Sequence, residues 1–250
     1  MLARVSRLGG FGARGYCALA ARQFDVLIVG GGSAGVGLAS NWLDHATAPI
    51  RQSGEKLSFG IIEPSEYHYY QPLWTLVGGS TPGCSAESSR KETRSLIPHG
   101  ADLIVDRVTS VDPNANQVIL ESGERIRYDL LVVATGLEVN FDQIKGLREA
   151  LDDPNSPVCS NYSYDYCQKT ARLVDEFKGG EACFSFPTGP VKCAGAPQKI
   201  MYLAHAAWKE KSLNFTTRFT SAIEKIFAVD KYRLALVSSS PSLPLLWKFT

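Results

Sequence analysis

Phe24-Asp25-Val26-Leu27-Ile28-Val29-Gly30-Gly31-Gly32-Ser33-Ala34-Gly35 is the stretch on which the fold turns. Residues 24–29 are a short β-branched apolar run, the pattern of a strand buried in a parallel sheet. Residues 36–43 (Val36-Gly37-Leu38-Ala39-Ser40-Asn41-Trp42-Leu43) space their apolar side chains as a helix does. Between strand and helix, Gly30, Gly32 and Gly35 occupy the glycine positions of G-x-G-x-x-G. Gly30 permits the tight turn, Gly32 lets a pyrophosphate approach the backbone, and Gly35 lets helix and strand pack closely. The phosphates are expected at the helix N-terminus, among N–H groups without intrahelical partners and at the positive end of the dipole.

Downstream, residues 57–63 read as a second strand whose last residue is Glu63, an acid placed to accept hydrogen bonds from ribose hydroxyls. Glu63 comes later than the usual ~20 residues after the glycines, and the polar, Pro- and Gly-containing loop at 48–56 accounts for the excess. Residues 103–105, 107–111, 117–120 and 125–128 read as an antiparallel meander that runs into a buried strand at 130–134. That strand ends in Val132-Val133-Ala134-Thr135-Gly136, which resembles the second flavin motif of two-dinucleotide-binding-domain flavoproteins and places Thr135 and Gly136 beside the nucleotide. NAD and FAD share the glycine fingerprint, and this second motif favours FAD. After a linker at 154–157 come a helix around 164–177, a strand at 182–186, a Pro-rich loop and a helix at about 197–211.

The expected class is therefore α/β: a Rossmann-like FAD-binding domain with a β-meander (residues 23–155), then part of a second Rossmann-like domain (156–235). Residues 236–250 form a divergent tail. From Met1 to Phe24 there is no acidic residue, while Arg4, Arg7, Arg14 and Arg22 are spread among apolar residues. That composition predicts a mitochondrial transit peptide at 1–22, with the alternative of a plain basic tail. The net charge is +1 with no basic stripe interleaved with aromatics, which argues against nucleic acid. Six cysteines show no CxxC pair and no zinc spacing, so neither a metal nor a disulfide framework is expected.

Several blocks carry a resemblance to one family. They are Ile62-Glu63-Pro64-Ser65-Glu66, His68-Tyr69-Tyr70-Gln71-Pro72, Trp74-Thr75-Leu76-Val77-Gly78, Ser160-Asn161-Tyr162-Ser163 and, most specific, Pro190-Val191-Lys192-Cys193-Ala194-Gly195-Ala196-Pro197-Gln198-Lys199-Ile200-Met201-Tyr202-Leu203. Together they resemble the mitochondrial sulfide:quinone oxidoreductases across roughly residues 23–235. The resemblance implies FAD contacts at Gly32, Ser33, Glu63, Gln71 and the backbone of Val108, and a flavin-facing catalytic cysteine at Cys193. It also implies uptake of hydrogen sulfide sulfur as a cysteine persulfide, with electrons passing through FAD to ubiquinone. A sulfane-sulfur acceptor such as glutathione or sulfite, and a place on the matrix face of the mitochondrial inner membrane, belong to the same expectation. The family's second cysteine, its late Gly-Asp flavin segment and its apolar C-terminal region have no counterpart here. The prolines and serines after residue 236 read as a truncated or alternatively ended product.

Local chemistry supports Cys193 separately. The turn after residues 182–186 lacks the glycines that hold a pyridine nucleotide's phosphates. Pro197 suits the first turn of a helix, so Cys193 sits just before a helix N-terminus and beside Lys192, both of which favour thiolate. Cys183, Cys159 and Cys167 read as core or neutral positions, Cys84 as uncertain, and His68 as a packed or solvent-bonded side chain rather than a base. Two other readings stay open: a different flavin enzyme of this fold, such as an NADH:quinone oxidoreductase, and a non-catalytic FAD-binding fragment.

Overall fold

The computed structural model describes residues 22–44, 54, 56–186, 193, 195–221, 225–226, 234–237 and 248–249. The expected targeting segment up to residue 21, most of the loop at 48–56, the Pro-rich loop at 187–192 and most of the tail lie outside the described residues.

In chain order the first half carries β1 (Arg22–Val29), α1 (Ser33–Asp44), β2 (Phe59–Ile62), β3 (Tyr67–Tyr69), α2 (Leu73–Gly78), β4 (Arg90–Glu92), β5 (Ala101–Ile104), β6 (Val108–Asp112), β7 (Gln117–Leu120) and β8 (Arg125–Val133). The main sheet has the order β5-β2-β1-β8-β7-β6. β1 lies at its centre, parallel to β2 and β8, with Val26 opposite both Phe59 and Leu130. Its last six residues are buried, as a strand covered on both faces requires. α1 covers one face through Ala39 and Trp42, packed over Val26, Ile28, Phe59 and Ile61. The other face buries Phe24, Leu27, Val29 and Ile62 against Val118, Leu120, Ile126 and Tyr128 of the meander. Asp25 is buried yet satisfied: its carboxylate accepts from the Ser58 backbone N–H and hydroxyl, both at 2.6 Å, tying the starts of β1 and β2 together.

Two readings of this region are corrected. Residues 101–104 are not the first strand of the meander but β5, parallel to β2, with Ile62 opposite Ile104. The antiparallel unit is β6-β7-β8 alone. Residues 125–128 and 130–134 are one nine-residue strand, β8, whose N-terminal part closes the meander while the strand also runs parallel to β1. Its end is only partly covered: the two flanking clusters reach Leu131 and Val132, leaving Leu130 47% and Val133 67% exposed.

The second half carries α3 (Leu147–Asp152), β9 (Val158–Cys159), α4 (Tyr164–Glu176), β10 (Gly180–Phe186), α5 (Ala196–Glu210), β11 (Phe215–Ser221), β12 (Lys225–Ile226), β13 (Leu234–Val237) and β14 (Lys248–Phe249). A second parallel sheet has the order β11-β10-β13-β9, and β12 pairs with β14. Ser163 caps α4 by accepting from the Asp165 N–H. The core between α4, α5 and β10 centres on Trp208, which is fully buried, lies 4.2 Å from the Phe177 ring and donates Nε1–H to the Val174 carbonyl.

Candidate flavin and cysteine site

The C-terminal ends of the parallel strands meet at the glycine turn. Gly30 N–H donates to Ile62 O, Glu63 N–H to Ile104 O and Ala134 N–H to Val29 O, so the ends of β1, β2, β5 and β8 are knitted together. This is the end of a doubly wound sheet where ligands bind. Gly30 has φ +109°, and a side chain there would meet the Ala134 carbonyl at 2.4 Å. At Gly35 a Cβ would lie 1.9 Å from the Gly30 carbonyl oxygen, so only glycine lets α1 pack this close to β1. At Gly32 the same position meets nothing within 4 Å. The turn is thus closed at Gly30 and Gly35 and open at Gly32, where the first N–H groups of α1 face out. That cradle fits a dinucleotide diphosphate.

Glu63 is held in place by two backbone donors: Gly31 N–H reaches Oε2 and Ser65 N–H reaches Oε1, each at 2.8 Å. The fixed carboxylate keeps further lone pairs for ribose hydroxyls. Thr135 and Gly136 follow the end of β8, exposed beside Gly30, with Gly136 at φ +72°. Val108 opens β6, and its side chain packs against the Phe24–Tyr128 cluster.

From Glu63 the chain runs as a strap to a second feature. β3 and β4 pair antiparallel as the strands of a long-looped hairpin, and Gln71 and α2 lie within its loop. The hairpin is tied back by buried Thr93, whose N–H donates to Glu66 O and whose hydroxyl donates to Ser65 O. Tyr69 packs against Tyr164 at 4.8 Å, and the Arg90 guanidinium lies 4.5 Å from the centre of the Tyr67 ring. Within that loop, α2 is clamped between two helices. A Cβ at Gly78 would lie 3.0 Å from Thr170 of α4, and one at Gly79 would lie 2.6 Å from Leu203 of α5. The buried Asn161 amide donates to Thr75 Oγ1 at 2.9 Å, fixing the residue next to Tyr162 against α2.

This clamp encloses a largely apolar cavity of about 290 Å³ lined by Gln71, Pro72, Trp74, Thr75, Tyr162 and, from the α5 side, Cys193, Gly195, Ala196 and Lys199. Cys193 is exposed and precedes the α5 N-cap, Gly195, with its carbonyl accepting from Ala196 N–H. Pro197 lies in the first turn of α5, where its missing N–H costs nothing. The Lys199 side chain borders the same space. Burial, and then the nearby Cys193 sulfur, push the Tyr162 hydroxyl up to about 12, so it stands there as a donor. The cavity therefore brings together Gln71 and Cys193, two residues predicted separately from distant blocks.

The remaining thiols differ from Cys193. Burial pushes Cys159 up to about 12 and Cys167 up to about 11, which leaves both protonated and poorly nucleophilic. Cys183 is buried, and Cys84 packs with Trp74, Val77 and Ala86. The sequence pattern did not single out Thr75, Tyr162, Lys199 or His68 as site residues. All four lie inside blocks already quoted, but nothing in their spacing marks them. Thr75, Tyr162 and Lys199 come together through the meeting of α2, α4 and α5, and His68 through β3. Among the described residues no group of acidic, His or Cys side chains is arranged to hold a metal, and no helix is long and apolar enough to cross a membrane.

Residues 24–176 match the pyridine nucleotide-disulphide oxidoreductase family. The chain is 41% identical over 224 residues to the mitochondrial sulfide:quinone oxidoreductase of Mus musculus, covering 89% of this chain and 47% of that protein. It is 44% identical over 210 residues to the mitochondrial sulfide:quinone oxidoreductase of Dictyostelium discoideum, covering 83% and 44%. The chain thus spans about half the length of the curated relatives it matches. The X-ray structure of the sulfide:quinone oxidoreductase from Aquifex aeolicus superposes with a TM-score of 0.59 at 21% identity, covering 80% of this chain and 43% of that one, a likeness of fold. The glycine cradle, the tethered acid and the matched residues agree: this chain belongs to the pyridine nucleotide-disulphide oxidoreductase family, with mitochondrial sulfide:quinone oxidoreductases among its relatives.

Proposed function

We propose that the chain binds FAD and serves flavin-dependent oxidation of hydrogen sulfide, with electrons passing to ubiquinone. One observation carries this reading: Cys193 and Gln71 line a single cavity at the far end of the strap that starts at Glu63. Gly32 and Ser33 would hold the diphosphate of the bound dinucleotide, Glu63 a ribose, and Gln71 and Cys193 the end that carries the flavin. The names of the relatives at 41% and 44% identity supply the substrates, sulfide and quinone.

Bound FAD would supply the two-electron acceptor, which no side chain here can replace. The protein's share is positional. Cys193 presents the sulfur on which sulfide sulfur would be held as a persulfide, the S–S bond forming as two electrons and two protons leave the thiol and hydrogen sulfide for the flavin, and Lys199 borders the same space. Tyr162 keeps its hydroxyl protonated beside the same cavity, and Pro72, Trp74 and Ala196 wall the cavity with apolar surface that excludes water. The sulfane sulfur then passes to an acceptor such as glutathione or sulfite. The reading places the protein in the mitochondrion, on the matrix face of the inner membrane. Titrating the FAD-loaded chain with sulfide without oxygen tests the proposal. Bleaching of the flavin absorbance, with sulfur retained on Cys193 by mass spectrometry, is the expected result. Full retention of flavin and unmodified Cys193 contradicts it.

A further inference from the structure

We propose that His68 is a cofactor-binding residue that engages the diphosphate from the side opposite α1. The inference rests on the FAD reading above and adds a residue to it. His68 lies in β3, half-buried, with Nε2 3.4 Å from the Ser33 hydroxyl. Ser33 is the first residue of α1, an exposed position at the twelve-residue helix's N-terminus, where the cradle opens at Gly32. An anion held there by the α1 N–H groups lies within reach of the same imidazole.

Two further features support this placement. His68 cannot drift far from the turn, because the hairpin is anchored through Thr93 to Ser65 and Glu66, and Ser65 is bonded to Glu63, which itself holds Gly31. The residue opposite His68 in the hairpin is Lys91, which shares its face and adds a cation rather than a competing carboxylate. An imidazole N–H donating to a phosphate oxygen is a charge-assisted hydrogen bond of the stronger kind. Ser33 and His68 then act as a pair, one from the helix and one from the strap.

Equilibrium binding of FAD, ADP and adenosine to the parent chain, His68→Ala, His68→Gln, Ser33→Ala and the double variant Ser33→Ala/His68→Ala tests this. Loss of the contact is expected to weaken FAD and ADP alike by about tenfold. Adenosine, which has no phosphate, stays unchanged, and His68→Gln, which keeps a donor, recovers part of the loss. The double variant is expected to lose less than the product of the single losses. Equal FAD and ADP affinity in parent and His68→Ala overturns the proposal and leaves the cofactor reading standing. Failure of the parent chain to bind FAD or ADP overturns both. An equal loss for adenosine identifies misfolding of the strap rather than a phosphate contact, and also overturns it.

Discussion

At Gly35 an added methyl group would sit 1.9 Å from a backbone carbonyl, and backbone cannot move aside as a flexible side chain can. Gly35→Ala is therefore expected to destabilise the chain by on the order of 4 kcal/mol, read as a shifted midpoint in urea unfolding. Gly32→Ala is the informative contrast. A Cβ there touches nothing within 4 Å, so unfolding should change by less than about 0.5 kcal/mol. FAD affinity should nonetheless fall at least about tenfold, because the methyl group occupies the space a diphosphate needs. Unchanged FAD binding in Gly32→Ala would remove the cradle from the account. The distinction between these two glycines was legible in the motif itself, since its spacing assigns one to packing and the other to the ligand. The tether from Gly31 to Glu63 was not, because it depends on how the turn orients one N–H toward a carboxylate 32 residues away.

At the scale of elements, the join between sheet and cavity depends on α2 fitting between α4 and α5. Gly79→Ala pushes a Cβ to 2.6 Å from Leu203 Cδ1 and 2.8 Å from its Cβ, with no positive φ to add strain. A loss of about 1–3 kcal/mol is expected, with Leu203→Ala in the same chain costing less than the sum of the two single changes, as measured by a double-mutant cycle. Replacing Asn161 by Leu leaves Thr75 Oγ1 without its buried donor and is expected to cost about 1–3 kcal/mol in the same assay. Long elements with strong periodicity, such as β1, α4 and α5, were readable from their residues. The three-residue strands β3 and β4 and the six-residue α2 were not, because so few residues hold no complete period. The parallel pairing of β5 escaped for another reason: four residues carry no mark of strand direction, and what fixes it is the register of Ile104 against Ile62. Asp129 broke β8 into two on paper, whereas in the fold it is an exposed residue within a continuous strand, bonded to Gln23.

For the whole molecule, pH couples to stability through the buried thiols. Cys159 titrates near 12 in the folded chain because burial disfavours the thiolate, against an ordinary 9.0, and Cys167 near 11. A folded value raised above the unfolded one means stability is intact below about pH 9 and is lost as pH climbs toward 12 and 11 respectively. Each such group contributes a slope of up to about 1.4 kcal/mol per pH unit in that window. Urea midpoints measured from pH 8 to 11 should fall, and Cys159→Ala should make the decline shallower whatever its offset at pH 8. Parallel declines would contradict the assigned burial.

The central claim is that the glycine cradle and Cys193 serve one flavin. It is tested most directly by the visible spectrum of the FAD-loaded chain under thiol-reducing conditions without oxygen. A thiolate touching the isoalloxazine ring gives a long-wavelength charge-transfer band. The arrangement of Gln71, Tyr162 and Cys193 around one cavity predicts that band in the parent chain and its loss in Cys193→Ser. A flavin-loaded parent without the band, or a band that survives in Cys193→Ser, would contradict it.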